Sequence, residues 1–320
     1  MSDCYVGNLS YALGDEISSV EEAGSKGRLL SKPSVLKDAG FKQHHTCTAS
    51  TSAYDLAHKV LTQLGDALTS DEQPIGAIVY ATCLPLNGTI TDDSQFKVSR
   101  DVKHLMDFPA SHVQADFNLN DALVIGLNQQ ACTAMLGSLR IAKMLLSTEP
   151  DIKQVLCITA DRFPPGALYE QSYTLVSDGA AACLVSRQPQ AFKIITCHGI
   201  TNGAMAQASD DETVGSYFSY AHRVILETLH KANLDISDIN YVVPQNMNIK
   251  AWQILSRLLK LDFERVCFPT LPDVGHVISG DNIINLKHLQ DSGQIKSGDR
   301  ILLFMAGYGL NWQCVILEAT

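Results

Sequence analysis

The chain has 320 residues, of which 46% are hydrophobic and 18% are charged, and its formal net charge is −10. This length suits two domains of ordinary size or one large layered unit with an extensive core. The acidic balance argues against a surface that binds nucleic acid or an anionic membrane. The sequence has no apolar run of about 18 residues and no basic N-terminal signal segment, so we expect a cytoplasmic protein.

Strand-like and helix-like segments alternate along the chain. Apolar runs predict strands at Ala77–Thr82, Gln154–Thr159, Ala181–Ser186, Lys193–Cys197, Tyr241–Val243, Ile301–Met305 and Gln313–Glu318. Amphipathic periodicity predicts helices at Thr51–Leu64, Cys132–Ser147, Phe218–Asn233, Ile249–Leu261 and Asn282–Ser292. The alternation is typical of an α/β fold with mostly parallel strands that are covered on both faces.

The order helix–strand–helix–strand occurs twice, with a division near residue 190. We therefore predict two related halves, 1–189 and 190–320. In this scheme Cys132 and the segment His276–Asp281 both lie where the chain enters the corresponding helix of each half. If a pseudo-twofold axis relates the halves, the two turns face each other, and a thiol, an imidazole and a carboxylate come together.

The cysteines are odd in number and scattered through apolar segments, which indicates reduced thiols. They are Cys4, Cys47, Cys83, Cys132, Cys157, Cys183, Cys197, Cys267 and Cys314. The donor-rich segment HHTC at 44–47 has no second pair at zinc spacing, so we predict no metal.

Cys132 is the first candidate for chemistry, because the N-terminus of a helix favours a thiolate. The alternative is a buried structural cysteine. A nucleophilic thiol needs a base, and the base needs an acceptor that orients it. His276 and Asp281 can supply both from one turn, although a backbone-bonded loop histidine and an ordinary helix-capping Asp are the plainer alternatives.

Near the end of the chain, Gly307 and Gly309 flank Tyr308 between two strands. Glycines at such a turn let the backbone approach a ligand, and a free N–H there can serve an oxyanion hole. A simple hairpin turn is the alternative. The pattern does not predict a dinucleotide site, because a strand and not a helix follows it.

Three amide side chains follow another strand, namely Gln245, Asn246 and Asn248. We predict that they bind a substrate carbonyl or water, with a polar turn as the alternative. The next helix carries basic residues on roughly one face, namely Lys250, Arg257 and Lys260. This face is a candidate docking surface for an acidic carrier protein, although a solvated helix face is the more common explanation.

Five segments, taken together, resemble a known family in their order and spacing. They are ACTAMLGSLRIA, VSDGAAACLV, VVPQNMN, GHVISGDNIINL and GDRILLFMAGYGLNWQCVILE. They resemble segments of the ketoacyl synthase III family of the thiolase superfamily. The resemblance implies a five-layered αβαβα thiolase fold, a homodimer, and acyl transfer through a cysteine thioester. It further implies coenzyme A or acyl-carrier-protein thioesters as donors, and no bound cofactor.

The departures from the family pattern are informative. Housekeeping condensing enzymes have histidine where this chain has Gln245, and G-N-T-S near the place of its Gly275-His276. The turn GHVISGD instead resembles that of a divergent branch in antibiotic and polyketide pathways, with acyltransferases and priming synthases. That resemblance implies Cys132 as nucleophile, His276 as base and Asp281 as its orienting partner. It places the oxyanion amides at Cys132 and Tyr308.

The resulting hypothesis is an acyltransferase of specialised metabolism that uses a Cys132 thioester and a hydroxyl, amine or carrier acceptor. A decarboxylative β-ketoacyl synthase that consumes a malonyl thioester is one alternative. A non-catalytic partner subunit of a heteromeric synthase is the other. The sequence does not identify the acyl chain or decide between coenzyme A and carrier protein as donor.

Overall fold

The computed structural model describes residues 3–90, 94–308 and 310–320. Its strands are β1 Tyr5–Leu13, β2 Glu16–Ser19, β3 Gln43–Thr46, β4 Ile75–Ala81, β5 Leu123–Leu127, β6 Gln154–Asp161, β7 Glu170–Gln171, β8 Thr174–Leu175, β9 Gly179–Ser186, β10 Phe192–Thr201, β11 Tyr241–Pro244, β12 Arg300–Gly307 and β13 Asn311–Ala319. Its helices are α1 Val20–Ser25, α2 Pro33–Asp38, α3 Ala53–Leu64, α4 Ser94–Ser99, α5 Pro109–Asp116, α6 Ala134–Thr148, α7 Asp210–Ala232, α8 Ile249–Leu259, α9 Leu271–Val274 and α10 Asp281–Asp291.

Nine strands form one sheet in the order β11-β12-β13-β10-β1-β9-β6-β4-β5. The order β4-β6-β9-β1 reappears as β11-β12-β13-β10, with the same sequence of one parallel and two antiparallel pairings. In each half one strand, β9 or β13, runs against its neighbours. Most neighbouring pairs are therefore antiparallel, and the expectation of mostly parallel pairing was wrong on this point.

The two halves of the sheet meet where β1 pairs with β10, through Tyr5 opposite Lys193 and Val6 opposite Phe192. The predicted division near residue 190 falls in the link between β9 and β10, and the division into two domains stays a prediction. At the outer edges the halves differ. β5 extends the first half beyond β4, whereas a single parallel bridge between Val242 and Val266 lies at the matching edge of the second.

Helices cover both faces of each half, and α6 and α10 lie between the halves. α3 packs on β1, β9 and β6, while α7 packs on β10 and β13 and also contacts α8. α6 contacts strands of the first half and also β10 and β13, and α10 contacts β1 and β9 as well as β11 and β12. The core residues of α6 and α10 accordingly belong to one cluster that both halves share. The layers follow the predicted order αβαβα.

The outer helices are amphipathic rather than apolar all round. In α8, Trp252 and Leu255 are buried, whereas Lys250 and Arg257 are exposed, as is Lys260 just after the helix. The basic residues thus lie on the solvent side. Both a docking surface for a carrier protein and an ordinary solvated helix face require this. Within the described residues, no helix combines the length and apolar character needed to cross a membrane.

All predicted strands and helices are present, but the central strand β1 was missed. Its pairing with β9 is interrupted between Gly7 and Ser10, and Asn8 has φ of 51°. This bulge breaks the alternation of buried and exposed side chains by which a strand is recognised. The edge strand β5 was missed as well, and its side chains are only partly buried.

Candidate active site

Cys132 lies in a 3₁₀ turn, Ala131–Thr133, between β5 and α6. The regular helix begins two residues later than the sequence pattern predicted, at Ala134. Ala131 has φ of 46°, which costs a non-glycine residue about 1–2 kcal/mol. The Thr133 hydroxyl braces the turn by donating to the carbonyl of Gln130 at 2.7 Å. The nucleophile candidate is thus held in a strained turn directly before a helix N-terminus.

The turn that carries His276 has the same local design. Ile278 has φ of 46° and is the third residue before α10, just as Ala131 is the third residue before α6. Positive φ is rare for a β-branched residue and marks a conformation that the surroundings impose. The Ser279 hydroxyl donates to the carbonyl of Ala131 at 3.2 Å, so the two turns are in direct contact.

Asp281 is the centre of the second turn. Its Oδ2 accepts from Nδ1 of His276 at 2.5 Å and from the backbone N–H of Asn246 at 2.7 Å. Its Oδ1 accepts from the N–H of Val277 at 2.6 Å. The residue is the first of α10, whose N-cap is Gly280, so its carboxylate does not serve as an ordinary cap. Three donors at a fully buried carboxylate fix the orientation of the imidazole ring.

The imidazole and the thiol form a buried pair. Because Nδ1 of His276 binds Asp281, Nε2 is the nitrogen that faces Cys132. Burial alone lowers the pKa of His276, but the Asp281 carboxylate and then the Cys132 sulfur raise it above its ordinary value. Hydrogen bonds from the Cys83 thiol and then from His276 outweigh burial and lower the pKa of Cys132. Both shifts favour a thiolate beside an imidazolium ion as the resting pair.

The end of β12 lies against the nucleophile turn. A Cβ atom at Gly307 would lie 2.9 Å from the backbone nitrogen of Cys132 and 3.0 Å from the carbonyl oxygen of Gln130. Only glycine fits this approach. Tyr308 follows in a turn with its side chain 53% exposed, and Gly309 lies outside the described residues. The assignment of the Cys132 and Tyr308 amides to an oxyanion hole stays a prediction.

The three amide side chains after β11 have different surroundings. The Gln245 Oε1 accepts from the backbone N–H of Ala306 at 2.6 Å, which places this side chain at the site. Asn248 caps α8 by accepting from the N–H of Lys250. Asn246 is fully buried; its Nδ2 donates to protein oxygens and its Oδ1 accepts from Asn285. The side-chain groups of Asn246 are thus used inside the protein, and its assignment to substrate binding stays a prediction.

Two residues that position the nucleophile were missed, Gln313 and Ser279. The Gln313 Nε2 donates to Oε1 of Gln130 at 2.7 Å and to the Thr133 hydroxyl at 3.1 Å, so β13 of one half holds the turn of the other. A polar side chain between Trp312 and Cys314 in the buried part of β13 was the available signal. Ser279 lies inside the GHVISGD turn. Its contact with Ala131 joins residues 148 positions apart, so no local sequence pattern predicts it.

We predict that Gly307→Ala lowers the rate at which iodoacetamide alkylates Cys132 by about tenfold or more, because the new methyl group displaces the turn and misplaces the sulfur. Peptide mass spectrometry measures the rate at Cys132. Gly126→Ala is the control, because a Cβ atom at Gly126 in β5 meets nothing within 4 Å. An unchanged rate for Gly307→Ala would show that the close approach is not needed for reactivity.

We further predict that Cys132 keeps its alkylation rate as the pH falls from 8 to about 6, below the ordinary thiol pKa of about 8.5. The lowered pKa keeps the thiolate present until the pH passes below that pKa. His276→Ala removes the positive partner and should move this acid limb upward by about one unit or more. Identical pH profiles of wild type and His276→Ala would contradict the ion pair.

Comparison with known proteins identifies the family of this chain. Residues 127–203 match the family model described as 3-oxoacyl-[acyl-carrier-protein] synthase III, and residues 229–319 match the model of its C-terminal part. Together these matches cover more than half of the chain. The β-ketoacyl-[acyl-carrier-protein] synthase III of Clostridioides difficile strain 630 is 25% identical over 308 residues, which cover 88% of each chain.

Solved structures have the same fold. A structure titled ChlB3, an acyltransferase, superimposes with a TM-score of 0.82 at 18% identity, covering 99% of this chain and 98% of the other. The 3-oxoacyl-(acyl carrier protein) synthase III FabH of Pseudomonas aeruginosa PAO1 gives 0.79 at 20% identity, with the same coverage. The predicted thiolase fold is thereby confirmed. The chain belongs to the ketoacyl synthase III-like family of the thiolase superfamily, a family of enzymes of thiolase-type acyl transfer or condensation.

Proposed function

We propose that the protein is an acyltransferase. It takes an acyl group from a coenzyme A or acyl-carrier-protein thioester onto Cys132 and passes it to a hydroxyl, an amine or a carrier acceptor. One observation carries the proposal. His276 is bonded at Nδ1 to the buried Asp281 carboxylate, and its ring lowers the pKa of the neighbouring Cys132 thiol. This arrangement supplies a nucleophile, a proton carrier and an orienting group.

In the first step the Cys132 thiolate attacks the carbonyl carbon of the donor thioester and forms a new carbon–sulfur bond. The oxyanion accepts hydrogen bonds from the backbone N–H groups of Cys132 and Tyr308, each worth about 3 kcal/mol in the transition state. Collapse of the intermediate breaks the bond to the donor sulfur. The departing thiolate takes the proton of the His276 imidazolium, which leaves the imidazole neutral.

In the second step the neutral imidazole of His276 takes the proton from the acceptor O–H or N–H. The acceptor atom attacks the acyl carbon, and the bond to Cys132 breaks with its electron pair on sulfur. The thiolate–imidazolium pair is thus restored. Asp281 stabilises the positive charge and holds the ring in one tautomer throughout. The GHVISGD turn resembles the corresponding turn of the family branch found in antibiotic and polyketide pathways, and this supports a role in specialised metabolism.

Decarboxylative condensation with a malonyl thioester is the second candidate, and the name of the Clostridioides difficile relative favours it. Against it stands Gln245, which occupies the place of a histidine in the condensing enzymes and whose Oε1 is engaged by Ala306. Release of carbon dioxide that depends on a malonyl thioester would decide for condensation. A non-catalytic partner subunit is disfavoured, because the chain retains Cys132, His276 and Asp281 together.

A donor bound to a carrier protein needs a docking surface, and α8 offers a basic one on an acidic chain. The exposed residues Lys250, Arg257 and Lys260 form this face. We propose that it receives the acidic surface of an acyl carrier protein when a carrier and not coenzyme A is the donor. Charge complementarity of this kind mainly accelerates encounter and therefore weakens as salt is added.

We also propose a homodimer formed along β5. This strand ends the sheet, and an uncovered strand edge is a template for pairing with another chain. Its Leu123 is 48% exposed and so offers apolar surface at this edge. Two copies that pair through β5 would continue the sheet across the dimer and cover these side chains.

The first measurement is the intact mass of the protein after incubation with a panel of acyl thioesters. We expect an acyl adduct on wild type and none on Cys132→Ala. On His276→Ala the same adduct should form more slowly. The rate of acyl transfer from this adduct to the acceptor should fall by about a hundredfold or more, because the acceptor has lost its general base. An adduct that persists on Cys132→Ala would show that another cysteine is the nucleophile.

For the dimer, we expect Leu123→Asp to shift the protein from dimer to monomer in sedimentation velocity, because it places charge in the apolar part of the pairing edge. Met144→Asp, at a comparably exposed residue of α6, serves as the control and should leave the dimer intact. A wild-type protein that sediments as a monomer at micromolar concentration would refute this arrangement.

A further inference from the structure

The backbone of His276 is held by a segment that the mechanism above does not use. Residues 175–177 run from the end of β8 towards β9, and Val176 forms an isolated parallel bridge with His276. The N–H of His276 donates to the carbonyl of Leu175 at 2.8 Å, and the N–H of Ser177 donates to the carbonyl of His276 at 2.9 Å. Both backbone groups of the histidine are therefore bonded to the half of the molecule that carries the nucleophile.

The side chain of Ser177 adds a second connection. It is fully buried, and its hydroxyl donates to the carbonyl of Val274 at 2.5 Å and accepts from the N–H of His45 in β3 at 2.9 Å. The direction of each bond is fixed, because a backbone N–H can only donate and a carbonyl can only accept. Ser177 thus ties the residue two positions before His276 to β3.

The chain passes very close to Ser177 on its way into the histidine. Gly275 has φ of 73°, and a Cβ atom there would lie 3.0 Å from the carbonyl oxygen of Leu175 and 3.3 Å from Oγ of Ser177. The carbonyl of Gly275 accepts from Nδ2 of Asn246 at 2.7 Å. Because a close-packed interior transmits small displacements, a change at Ser177 moves the backbone of His276.

The imidazole is therefore fixed from two directions. Asp281 binds Nδ1 of the ring and, through its other oxygen, the N–H of Val277 after the histidine. Ser177 and its neighbours fix residues 274–276, which lead into the histidine. The carboxylate sets the direction of the ring, whereas the backbone sets where the side chain begins. One set of bonds consequently cannot replace the other.

The bonds of Ser177 differ from those of an ordinary buried serine. Ser138, in α6, donates to the carbonyl of Ala134 at 2.9 Å and so satisfies its hydroxyl within its own helix. Ser177 instead bonds Val274 and His45, which are 97 and 132 positions away in the chain. Its hydroxyl joins three separate parts of the chain at the place where one of them reaches the histidine.

We propose that Ser177 is a positioning residue, whose hydroxyl sets the backbone of residues 274–276 and so places the His276 imidazole beside Cys132. It acts through His276 and not on the substrate. Transfer to the acceptor is the sensitive step, because a base misplaced by about 1 Å costs up to a factor of about a hundred. This effect on transfer rests on the proposed function, whereas the placement of the imidazole beside the resting thiol does not.

The test is a double-mutant cycle on the pH dependence of Cys132 alkylation by iodoacetamide, followed at the Cys132 peptide by mass spectrometry. Ser177→Ala removes both bonds of the hydroxyl. It should move the acid limb of the profile upward by about half a pH unit, because the imidazole moves away from the sulfur. In the His276→Ala background the same substitution should leave the limb in place, since a residue that acts through the imidazole has no effect once the imidazole is gone.

Ser10→Ala is the matched control. Ser10 in β1 is 3% exposed, and its hydroxyl bonds Val60 and Gln63 of α3, so the substitution removes a buried hydroxyl at another place. The limb of this variant should coincide with that of wild type. Ser177→Cys keeps the shape of the side chain with a weaker donor and acceptor, and we expect a smaller shift in the same direction. This variant decides the question if Ser177→Ala does not fold.

Acyl transfer gives the second measurement. Transfer from an acyl-Cys132 adduct to the acceptor should slow about tenfold in Ser177→Ala. A limb that coincides with wild type would overturn the proposal, as would a shift of equal size in the His276→Ala background. If no thioester acylates wild type but the cycle gives the expected limbs, the proposed function fails while the placement of the imidazole stands. If wild type is acylated and the limbs coincide, the role of Ser177 fails alone.

Discussion

The site depends on one buried charge, the carboxylate of Asp281. A carboxylate without solvent is costly unless hydrogen bonds replace the lost water, and here three donors do so. Two are backbone N–H groups, from Asn246 after β11 and from Val277 in the same turn. The third is the imidazole of His276. The charge therefore fixes the main chain on both sides of the histidine, and it makes a positive imidazole possible in a place where burial alone would neutralise it.

A layer of buried polar side chains supports this carboxylate from below. Asn285 of α10 donates to Asn246 and accepts from the hydroxyl of Thr270, while Asn246 donates to the carbonyl of Gly275. Asn282, one residue after Asp281, donates to the backbone carbonyls of Val243 in β11 and Phe304 in β12. These bonds explain why a helix in the middle layer carries polar residues among apolar ones. They tie the start of α10 to both strands, so that packing of the core also positions the imidazole.

The nucleophile lies in a strained turn that hydrogen bonds from the opposite half of the molecule hold in place. Ala131 and Ile278 both have φ of 46°, at matching places before α6 and α10. Such conformations persist only where the surroundings impose them, and they occur preferentially at functional sites. Here Ser279 and Gln313, both from the second half, hold the turn of the first. A site assembled from two halves in this way needs both halves folded before the thiol meets its base.

The sequence by itself determined the strands and helices whose periodicity is strong. The repeat of helix–strand–helix–strand also predicted that Cys132 lies near His276 and Asp281. The strands and helices are predictable because burial on one face gives each of them a regular pattern of apolar residues. The proximity of the site residues is predictable because a duplicated half places equivalent turns opposite each other. Only the tertiary structure decided the rest. The bulge at Asn8 hides the central strand, and the contacts that Ser177, Gln313 and Asn246 make are set by strand order and by neighbours distant in the chain. Those contacts leave no local pattern, since the residues that satisfy a buried polar group are chosen by packing and not by spacing along the sequence.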